Sequence, residues 1–361
     1  MTDTPNEPKF LVDPYLEWVG NEGIPVHEDF GFDLLTLDLA PWPRMDARGA
    51  YAHALGRGDF VNMYVCEIAP GKQTAPQRHL FEEVVYVLDG NGSTTVETPN
   101  GERSFEWHTG SLFALPLNAR YRHFNGSGQR PARFVSTTNL PLVMNLFRND
   151  DFIWNNPSVF HERFGDPQHF RGDGTFIPMR PGRHMWETNF VPDLRTFELK
   201  TWKARGAGGS NIMFVLADGT MHAHMSEMPV GTYKKGHRHG ADFHVFAVTG
   251  QGYSLYWYDG ETELRRFDWK HGCVFAPTDM LYHQHFNTSP EPARYLAIAF
   301  GGLRYPTVAD KRKTFLGMDV SVKEGGRQIE YEDEDPRIRP IYEDELRTNK
   351  VPSRMNEVLT A

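Results

Sequence analysis

One block of sequence occurs twice in this chain, 160 to 162 residues apart. The first copy reads PGKQTAPQRHLFEEVVYVLDGNG from Pro70, and the second reads VGTYKKGHRHGADFHVFAVTGQG from Val230. Further along, FEWHTG from Phe105 returns as FDWKHG, and YRHFN from Tyr121 returns as HQHFN. A repeat of domain size that occurs only twice predicts two copies of one small fold and not a solenoid.

Both copies have the pattern of antiparallel β-structure. Short runs rich in Val, Tyr, Phe and Leu alternate with turn sequences such as DGNG and PNGE, which is typical of an all-β sandwich or barrel. The predicted organisation is an N-terminal arm, a first barrel, an inter-barrel connection, a second barrel and a C-terminal tail, at residues 1–57, 58–147, 148–207, 208–304 and 305–361.

The segments outside the barrels differ in character. The connection is rich in aromatic residues, so we expect it to pack across the two barrels and not to be a disordered linker. The tail carries an acidic run at residues 330–335, which we expect to face solvent, and a helix-like stretch at 341–346.

Composition excludes several classes of partner. Acidic residues outnumber basic residues, and the chain of 361 residues has a formal net charge of −9. This balance argues against a nucleic-acid surface and gives no sign of an anionic membrane partner. No segment has the ~18 apolar residues of a membrane span, and the first residues lack the pattern of a signal peptide. We therefore expect a cytoplasmic protein whose two cysteines, Cys66 and Cys273, are buried reduced thiols.

A pair of alternating histidines marks a candidate metal site in the second copy. His237 and His239 are two residues apart in a predicted strand, so both side chains leave the same face of the sheet. His283 and His285 share a face of a later strand by the same argument. Two histidines from one strand and one from another can converge on a divalent first-row metal and leave positions open for substrate or oxygen. The flanking glycines and the later His-x-His-Phe-Asn block make this pattern much stronger than an isolated His-x-His.

The pattern of a glycine, five residues, His-x-His, a glycine turn and a later strand ending in His and Asn resembles the two motifs of the cupin superfamily. Its double occurrence resembles a bicupin, which implies two cupin (jelly-roll) β-barrels in tandem over just over half of the chain. In the usual cupin pattern the ligands are the two histidines of His-x-His, a Glu four residues later and the His of the second motif. The resemblance therefore implies His237, His239 and His283 as ligands, with Phe243 where the Glu belongs.

The missing carboxylate leaves a neutral three-histidine set and a more exposed, more Lewis-acidic ion. A three-histidine site without Glu is similar to gentisate and salicylate 1,2-dioxygenases and to the thiol dioxygenases, which use Fe(II). The block HQHFN also resembles the HDHGN of gentisate dioxygenases. Oxalate decarboxylases and oxidases, the other well-known bicupins, keep the Glu and use manganese, so they match less well.

The first copy has lost most of the ligand set. Gln77 and Tyr121 replace the first and last histidines, and only His79 and Glu83 remain at ligand positions. Because two ligands rarely hold a metal firmly, we predict that the first barrel is structural. Its His79 and Glu83 are expected to be hydrogen-bonded near an empty or substrate-sized cavity.

Other histidines leave alternatives open. His285 is predicted to be a catalytic proton donor beside the metal ligands or a cavity wall, but a buried histidine bonded to the backbone explains it equally well. His244 follows Phe243 and should point to the opposite face. His222 and His224 are a further same-face pair, predicted to lie on the surface or, as the lesser alternative, in the pocket.

The basic residues near the motifs are less informative. Arg238 lies between His237 and His239 in the predicted strand, so its side chain should be on the opposite face and point away from them. Arg294 matches Arg133 in the repeat, which favours a structural ion pair at both places. Arg304 or Lys235 can anchor a substrate carboxylate, and the sequence does not choose between them.

Three functions remain open. The leading hypothesis is a non-haem Fe(II) dioxygenase that binds O2 and cleaves the ring of a small hydroxylated aromatic acid. The second is a non-redox lyase, decarboxylase, hydrolase or isomerase that uses Zn, Ni or Mn as a Lewis acid, with His285 or a tyrosine as proton shuttle. The third is a binding or accessory bicupin. A homo-oligomer is expected from the resemblance alone.

Overall fold

Each half of the chain folds into a large β-sheet and a three-stranded β-sheet. The structure, a computed structural model, describes residues 12–164, 169–180, 183–206, 208–301 and 319–359. The strands of the first half are β1 (Val26–Asp29), β2 (Gly31–Asp33), β3 (Ala40–Trp42), β4 (Ala47–Ala54), β5 (Asn62–Ile68), β6 (Glu83–Asp89), β7 (Asn91–Thr98), β8 (Gly101–His108), β9 (Leu112–Ala114), β10 (Tyr121–Asn125) and β11 (Ala132–Thr138). The strands of the second half are β12 (Thr175–Arg180), β13 (Arg183–Thr188), β14 (Phe190–Val191), β15 (Lys200–Thr201), β16 (Ser210–Leu216), β17 (Met221–Met228), β18 (His244–Thr249), β19 (Gln251–Trp257), β20 (Arg265–Lys270), β21 (Cys273–Phe275), β22 (Tyr282–Asn287) and β23 (Ala293–Phe300).

Helices lie outside the two sheet pairs. They are α1 (Pro14–Asn21), α2 (Leu140–Phe147), α3 (Asp150–Trp154), α4 (Ile338–Asn349) and α5 (Met355–Leu359). None of the helices in the described ranges has the length and apolar character needed to cross a bilayer. Both cysteines are buried free thiols on strands, as predicted.

The two halves have the same topology, which confirms the prediction of an all-β fold with two jelly-roll barrels in tandem. The large sheet of the first half has the order β1-β4-β5-β11-β6-β9-β14, and its small sheet has the order β10-β7-β8. The second half repeats this order as β13-β16-β17-β23-β18-β21-β2, with β12 as an additional edge strand beside β13, and has a small sheet of β20-β19-β22. Apolar side chains from both large sheets form one continuous core, in which the Tyr86 and Phe246 rings lie 5.9 Å apart.

The segments before the barrels cross between them. β2, from the N-terminal arm, pairs with β21 of the second barrel, and β14, from the connection, pairs with β9 of the first barrel. The connection therefore packs across both barrels, as expected from its aromatic content. The arm and the connection are also repeats of each other, since DLLTLDLAPW from Asp33 returns as DLRTFELKTW from Asp193.

The repeated arginines anchor these crossing segments. Arg133 pairs with Glu67 at 2.6 Å and donates to the Leu34 carbonyl of the arm. Arg294 pairs with Glu227 at 2.7 Å and donates to the Leu194 carbonyl of the connection. The predicted structural ion pairs are present at both places.

The C-terminal tail packs on the second barrel. α4 covers the predicted helical stretch, and its Tyr342 and Leu346 join an apolar cluster with residues of β19 and β22. The acidic run before it does not simply face solvent, and here the prediction was wrong. Glu330 pairs with Lys235, and the half-buried Glu334 accepts a hydrogen bond from Tyr233 at 2.5 Å, because the tail lies against the barrel wall.

We predict that Gly252→Ala destabilises the protein by about 3 kcal/mol, the upper part of the range for overpacking. A Cβ at this position would lie 1.9 Å from the backbone carbonyl oxygen of Phe286, so β19 and β22 must separate. Urea unfolding measures the change. Gly128→Ala is the control, because a Cβ there meets nothing within 4 Å. Equal stability of the two variants would contradict the prediction.

Candidate metal site in the second barrel

The three predicted ligand histidines meet inside the second barrel. One ligand atom from each of His237, His239 and His283 lies within 4.8 Å of the others, and all three residues are buried. Across the ranges that the structure describes, this is the one set of three or more His, Cys, Asp or Glu residues that converges in this way.

A backbone pair brings the two motifs together. The amide of His237 donates to the His283 carbonyl at 3.1 Å, and the amide of His283 donates back to the His237 carbonyl at 2.9 Å. This reciprocal pair holds the His-x-His segment against β22, so the His237 and His283 rings lie 4.2 Å apart between centroids. The prediction of a strand over His237 and His239 was wrong, because both residues lie in an irregular segment between β17 and β18. Isolated bridges from His237 to His283 and Gln328 set the positions of the side chains.

The imidazoles are prepared to act as neutral donors. His239 Nδ1 bonds to the Gly240 carbonyl at 2.8 Å, and His283 Nδ1 bonds to the Leu281 carbonyl at 3.0 Å. A carbonyl can only accept, so Nδ1 carries the hydrogen and Nε2 keeps its lone pair. Burial lowers the pKa of His239 to about 4, and burial likewise holds the pKa of His237 and of His283 well below the usual range. Neutral imidazoles with oriented lone pairs are what a divalent metal requires.

Phe243 occupies the place of the fourth ligand. Its ring lies 4.3 Å from the His239 ring between centroids, so an apolar side chain covers this side of the histidine set. The set therefore has no negative ligand, and a bound ion would keep its full charge.

The histidines line a partly open cavity of about 40 Å³. Its imidazoles are those of His222, His224, His237, His239, His283 and His285. The surface alternative that the sequence favoured for His222 and His224 was wrong, since both belong to β17 and face this cavity. Two arginines, Arg183 and Arg205, also line it, and no Asp or Glu does so in the described part of the chain.

His285 is held by a hydrogen-bond chain. Ser254 Oγ accepts from Trp269 Nε1 at 3.1 Å and lies 2.9 Å from His285 Nδ1. A serine hydroxyl has one hydrogen and two lone pairs, so this bond holds the His285 ring in either neutral tautomer.

The first barrel has the same chain of bonds. Trp107 Nε1 donates to Thr94 Oγ1 at 2.9 Å, and Thr94 lies 2.7 Å from His123 Nδ1. A device that occurs in both barrels serves the fold. Only His285 of the two histidines also lines the cavity with the three converging histidines. Its hydrogen-bond partner is the Ser254 side chain and not the backbone.

Other candidates lie away from the cavity. His244 is fully buried and does not line it, in agreement with its predicted orientation. Arg238 stacks on Tyr282 at 4.5 Å and points away, also as predicted. Lys235 pairs with Glu330 and does not reach the cavity, so it is not a substrate anchor; Arg304 lies outside the described residues.

Sequence reasoning missed the two cavity arginines. Both come from the inter-barrel connection, Arg183 at the start of β13 and Arg205 in a short 3-10 turn after β15. The signal that identifies this region is the arm repeat ending at Trp42 and Trp202, which shows that the connection belongs to the second barrel's repeat.

In the first barrel, a hydrogen-bonded network occupies the corresponding place. Glu83 accepts from Tyr64 and, at 2.5 Å, from Tyr121, while His79 Nε2 lies 2.9 Å from the Tyr121 hydroxyl. His79 Nδ1 bonds to the Phe81 carbonyl at 2.9 Å. Both residues are thus hydrogen-bonded, as predicted, and the network fills the ligand positions with polar side chains that satisfy one another.

This network predicts an acid-dependent stability. Burial acts to raise the pKa of Glu83, but its bonds to His79 and Tyr121 outweigh burial and lower the pKa to about 2 from 4.5. The ionised carboxylate therefore stabilises the fold fully above pH 4.5, and this contribution is lost as the pH falls toward 2. A decrease of that size in the pKa of Glu83 corresponds to on the order of 3 kcal/mol in the free energy of unfolding.

We therefore expect Glu83→Gln to be less stable than the wild type at pH 7 and to lose less stability between pH 4.5 and pH 2. Urea unfolding over a pH series measures both effects. Glu97→Gln, on the surface, is the control and should follow the wild type. Parallel pH curves for Glu83→Gln and the wild type would show that Glu83 is not ionised in the fold.

Comparisons with known proteins agree with this architecture. The family model described as Cupin domain matches residues 64–138. A variant of Bacillus subtilis oxalate decarboxylase has a similar structure, with a TM-score of 0.50 and 14% identity over 83% of this chain and 83% of that chain. The formate complex of Lactobacillus farciminis oxalate decarboxylase gives a TM-score of 0.49 and 13% identity over 77% of this chain and 87% of that chain.

No curated protein matches the chain. The similar structures named above are oxalate decarboxylases, so the finer resemblance to gentisate and salicylate dioxygenases stays a prediction. At these identities the likeness concerns the fold. Residues 64–138 thus match the cupin domain model, and the two-barrel fold of the chain is similar to that of oxalate decarboxylase.

Proposed function

We propose that this protein is a metal-dependent enzyme whose second barrel holds one divalent first-row metal ion through His237, His239 and His283. The convergence of three buried, neutral imidazoles at one cavity carries this proposal. Manganese, iron, nickel and zinc all accept such a donor set. When bound, the ion supplies Lewis-acid activation of a coordinated oxygen.

The size of the cavity favours a small substrate. A volume of about 40 Å³ admits roughly three water molecules, since one water needs about 10 to 15 Å³ on this measure. An apolar cavity that takes up benzene measures about 150 Å³. We therefore favour a lyase-type reaction, such as decarboxylation, on an acid of a few carbons over cleavage of an aromatic ring. The oxalate decarboxylase fold is compatible with this choice.

The chain's own residues supply proton and hydrogen-bond groups. His285 and Tyr295 line the same cavity, and their ring centroids lie 5.0 Å apart. We assign His285 as the group that donates a hydrogen bond to the reacting oxygen, with Tyr295 beside it. Phe243 covers the His239 ring and limits the entry of water there.

The second candidate remains an Fe(II) dioxygenase. The specific observation in its favour is Phe243 in place of a carboxylate, which leaves three neutral ligands and open positions for substrate and O2. Strict dependence of turnover on O2 with iron as the resident metal would establish it. Product formation from small carboxylic acids without O2, measured as released CO2, would establish the lyase.

Metal analysis tests the site directly. We expect purified wild-type protein to contain about one metal ion per chain and His239→Ala to lose it, because two imidazoles rarely retain a divalent ion. His79→Ala, the repeat counterpart in the first barrel, is the matched control and should keep the ion. Retention by His239→Ala together with loss by His79→Ala would place the ion in the first barrel and end the proposal.

The role of His285 has its own test. With a substrate found by testing small carboxylic acids for CO2 release, His285→Phe should lower kcat by about 100-fold or more while the metal content stays unchanged. His285→Gln keeps an N–H near the Nε2 position and should recover part of the rate. A variant with full activity would show that His285 serves only the Ser254 and Trp269 chain.

A further inference from the structure

Two buried arginines reach the second cavity from the inter-barrel connection. Arg183 and Arg205 are 4% and 5% exposed, and both line the cavity beside the histidine set. The Trp202 ring supports both guanidinium groups, with centroid distances of 4.2 Å to Arg183 and 6.0 Å to Arg205. Gln328 Oε1 accepts from Arg205 Nη1 at 3.2 Å. The two cations are therefore held in place and not left to move in solvent.

The cavity has a one-sided charge. Its ionisable lining consists of imidazoles, guanidinium groups and the Tyr295 hydroxyl, and none of the described residues that line it is acidic. Burial lowers the pKa of the Arg205 guanidinium, whereas Tyr295 and the carboxylates of Asp319 and Glu330 act in the opposite direction. An anion that enters the cavity therefore meets a lining of cationic and neutral groups.

The repeat shows that these cations are particular to the second barrel. Val26 of β1 lies opposite Tyr51, and Met185 of β13 lies opposite Met213, so the two strands occupy corresponding places in their sheets. Two residues earlier in each strand segment stand Ile24 in the first half and Arg183 in the second.

Arg205 also replaces an apolar residue of the first half. Three residues after the repeated tryptophan stands Met45 in the first half and Arg205 in the second. Ile24 and Met45 both belong to the apolar core of the first barrel. The second barrel, which has the three-histidine set, thus carries guanidinium groups where the first barrel carries apolar side chains.

We propose that Arg183 and Arg205 form an anion subsite that binds the carboxylate of the substrate independently of the metal ion. The inference rests on the proposed function and adds to it the two residues that hold the carboxylate of a small acid. Planar guanidinium groups match a planar carboxylate in charge and hydrogen-bond geometry. The volume of about 40 Å³ limits the rest of the molecule.

Pyruvate and pyruvamide are matched probes, because they have nearly the same size and differ in charge. Titration calorimetry is performed on the full chain as purified and after removal of metal with EDTA, in chloride-free buffer. We expect pyruvate to bind in both states and pyruvamide to bind at least about tenfold more weakly. Arg183→Gln and Arg205→Gln should each weaken pyruvate binding by at least about tenfold while the metal content is unchanged.

Arg238→Gln is the control, since Arg238 lies in the ligand segment but pairs with Asp259 outside the cavity. Unchanged pyruvate affinity in this variant supports the subsite. Binding that disappears with the metal would show that the ion alone holds the anion and would overturn the inference, as would equal affinity for pyruvamide or tighter binding of inorganic phosphate. A protein that binds pyruvate but holds no metal would instead refute the proposed function and leave the subsite standing.

Discussion

The candidate site depends on the reciprocal pair of backbone hydrogen bonds between the two motifs. In the second barrel the pair joins His237 and His283, and in the first it joins Gln77 and Tyr121, at 2.9 and 3.0 Å. We call each pair of bonded segments a frame. Because main-chain atoms make the bonds of a frame, the frame is preserved when its side chains are replaced. The duplication thus supplies two equivalent frames, and their side chains alone decide which chemistry each can support.

The two frames show two ways to fill the same place. In the first barrel, Glu83 is stabilised as an anion by Tyr64, Tyr121 and His79, so the polar groups satisfy one another. In the second, Phe243 removes that anion, and the imidazoles turn their lone pairs toward a common point. Under the proposed function, a bound ion completes the polar groups of the second barrel, whereas the protein itself completes those of the first. It follows that a family match over residues 64–138 identifies the fold without locating the chemistry.

The sequence predicted the parts of this molecule that local pattern determines. The His-x-His motif and the position of His283 after a second glycine turn were sufficient to bring the three histidines together, although His237 and His239 lie in an irregular segment and not in the predicted strand. The helix α4 and the buried thiols followed from similar local rules. Parity also gave the orientation of Arg238 correctly.

The errors came from contacts between distant segments. The polarity of His222 and His224 favoured the surface, but β17 is enclosed between β16 and β23, so its alternate residues face the barrel interior. Likewise, the arm repeat was not recognised, and Arg183 and Arg205 were assigned to a connection without chemistry. The sequence periodicity of a segment does not show which of the two barrels the segment packs against.

This crossing has a consequence for the second cavity. Arg183 begins β13, and β14, only two residues after the end of that strand, pairs with β9 of the first barrel. On the other side, Arg205 is held by Gln328 of the tail, whose neighbour Ile329 donates its amide to the Gly236 carbonyl beside the ligand segment. The guanidinium pair is therefore positioned by the first barrel from one end and by the tail from the other. A barrel that holds no metal ligands of its own can thus remain necessary to the site, because it fixes the strand from which one of the two cations extends.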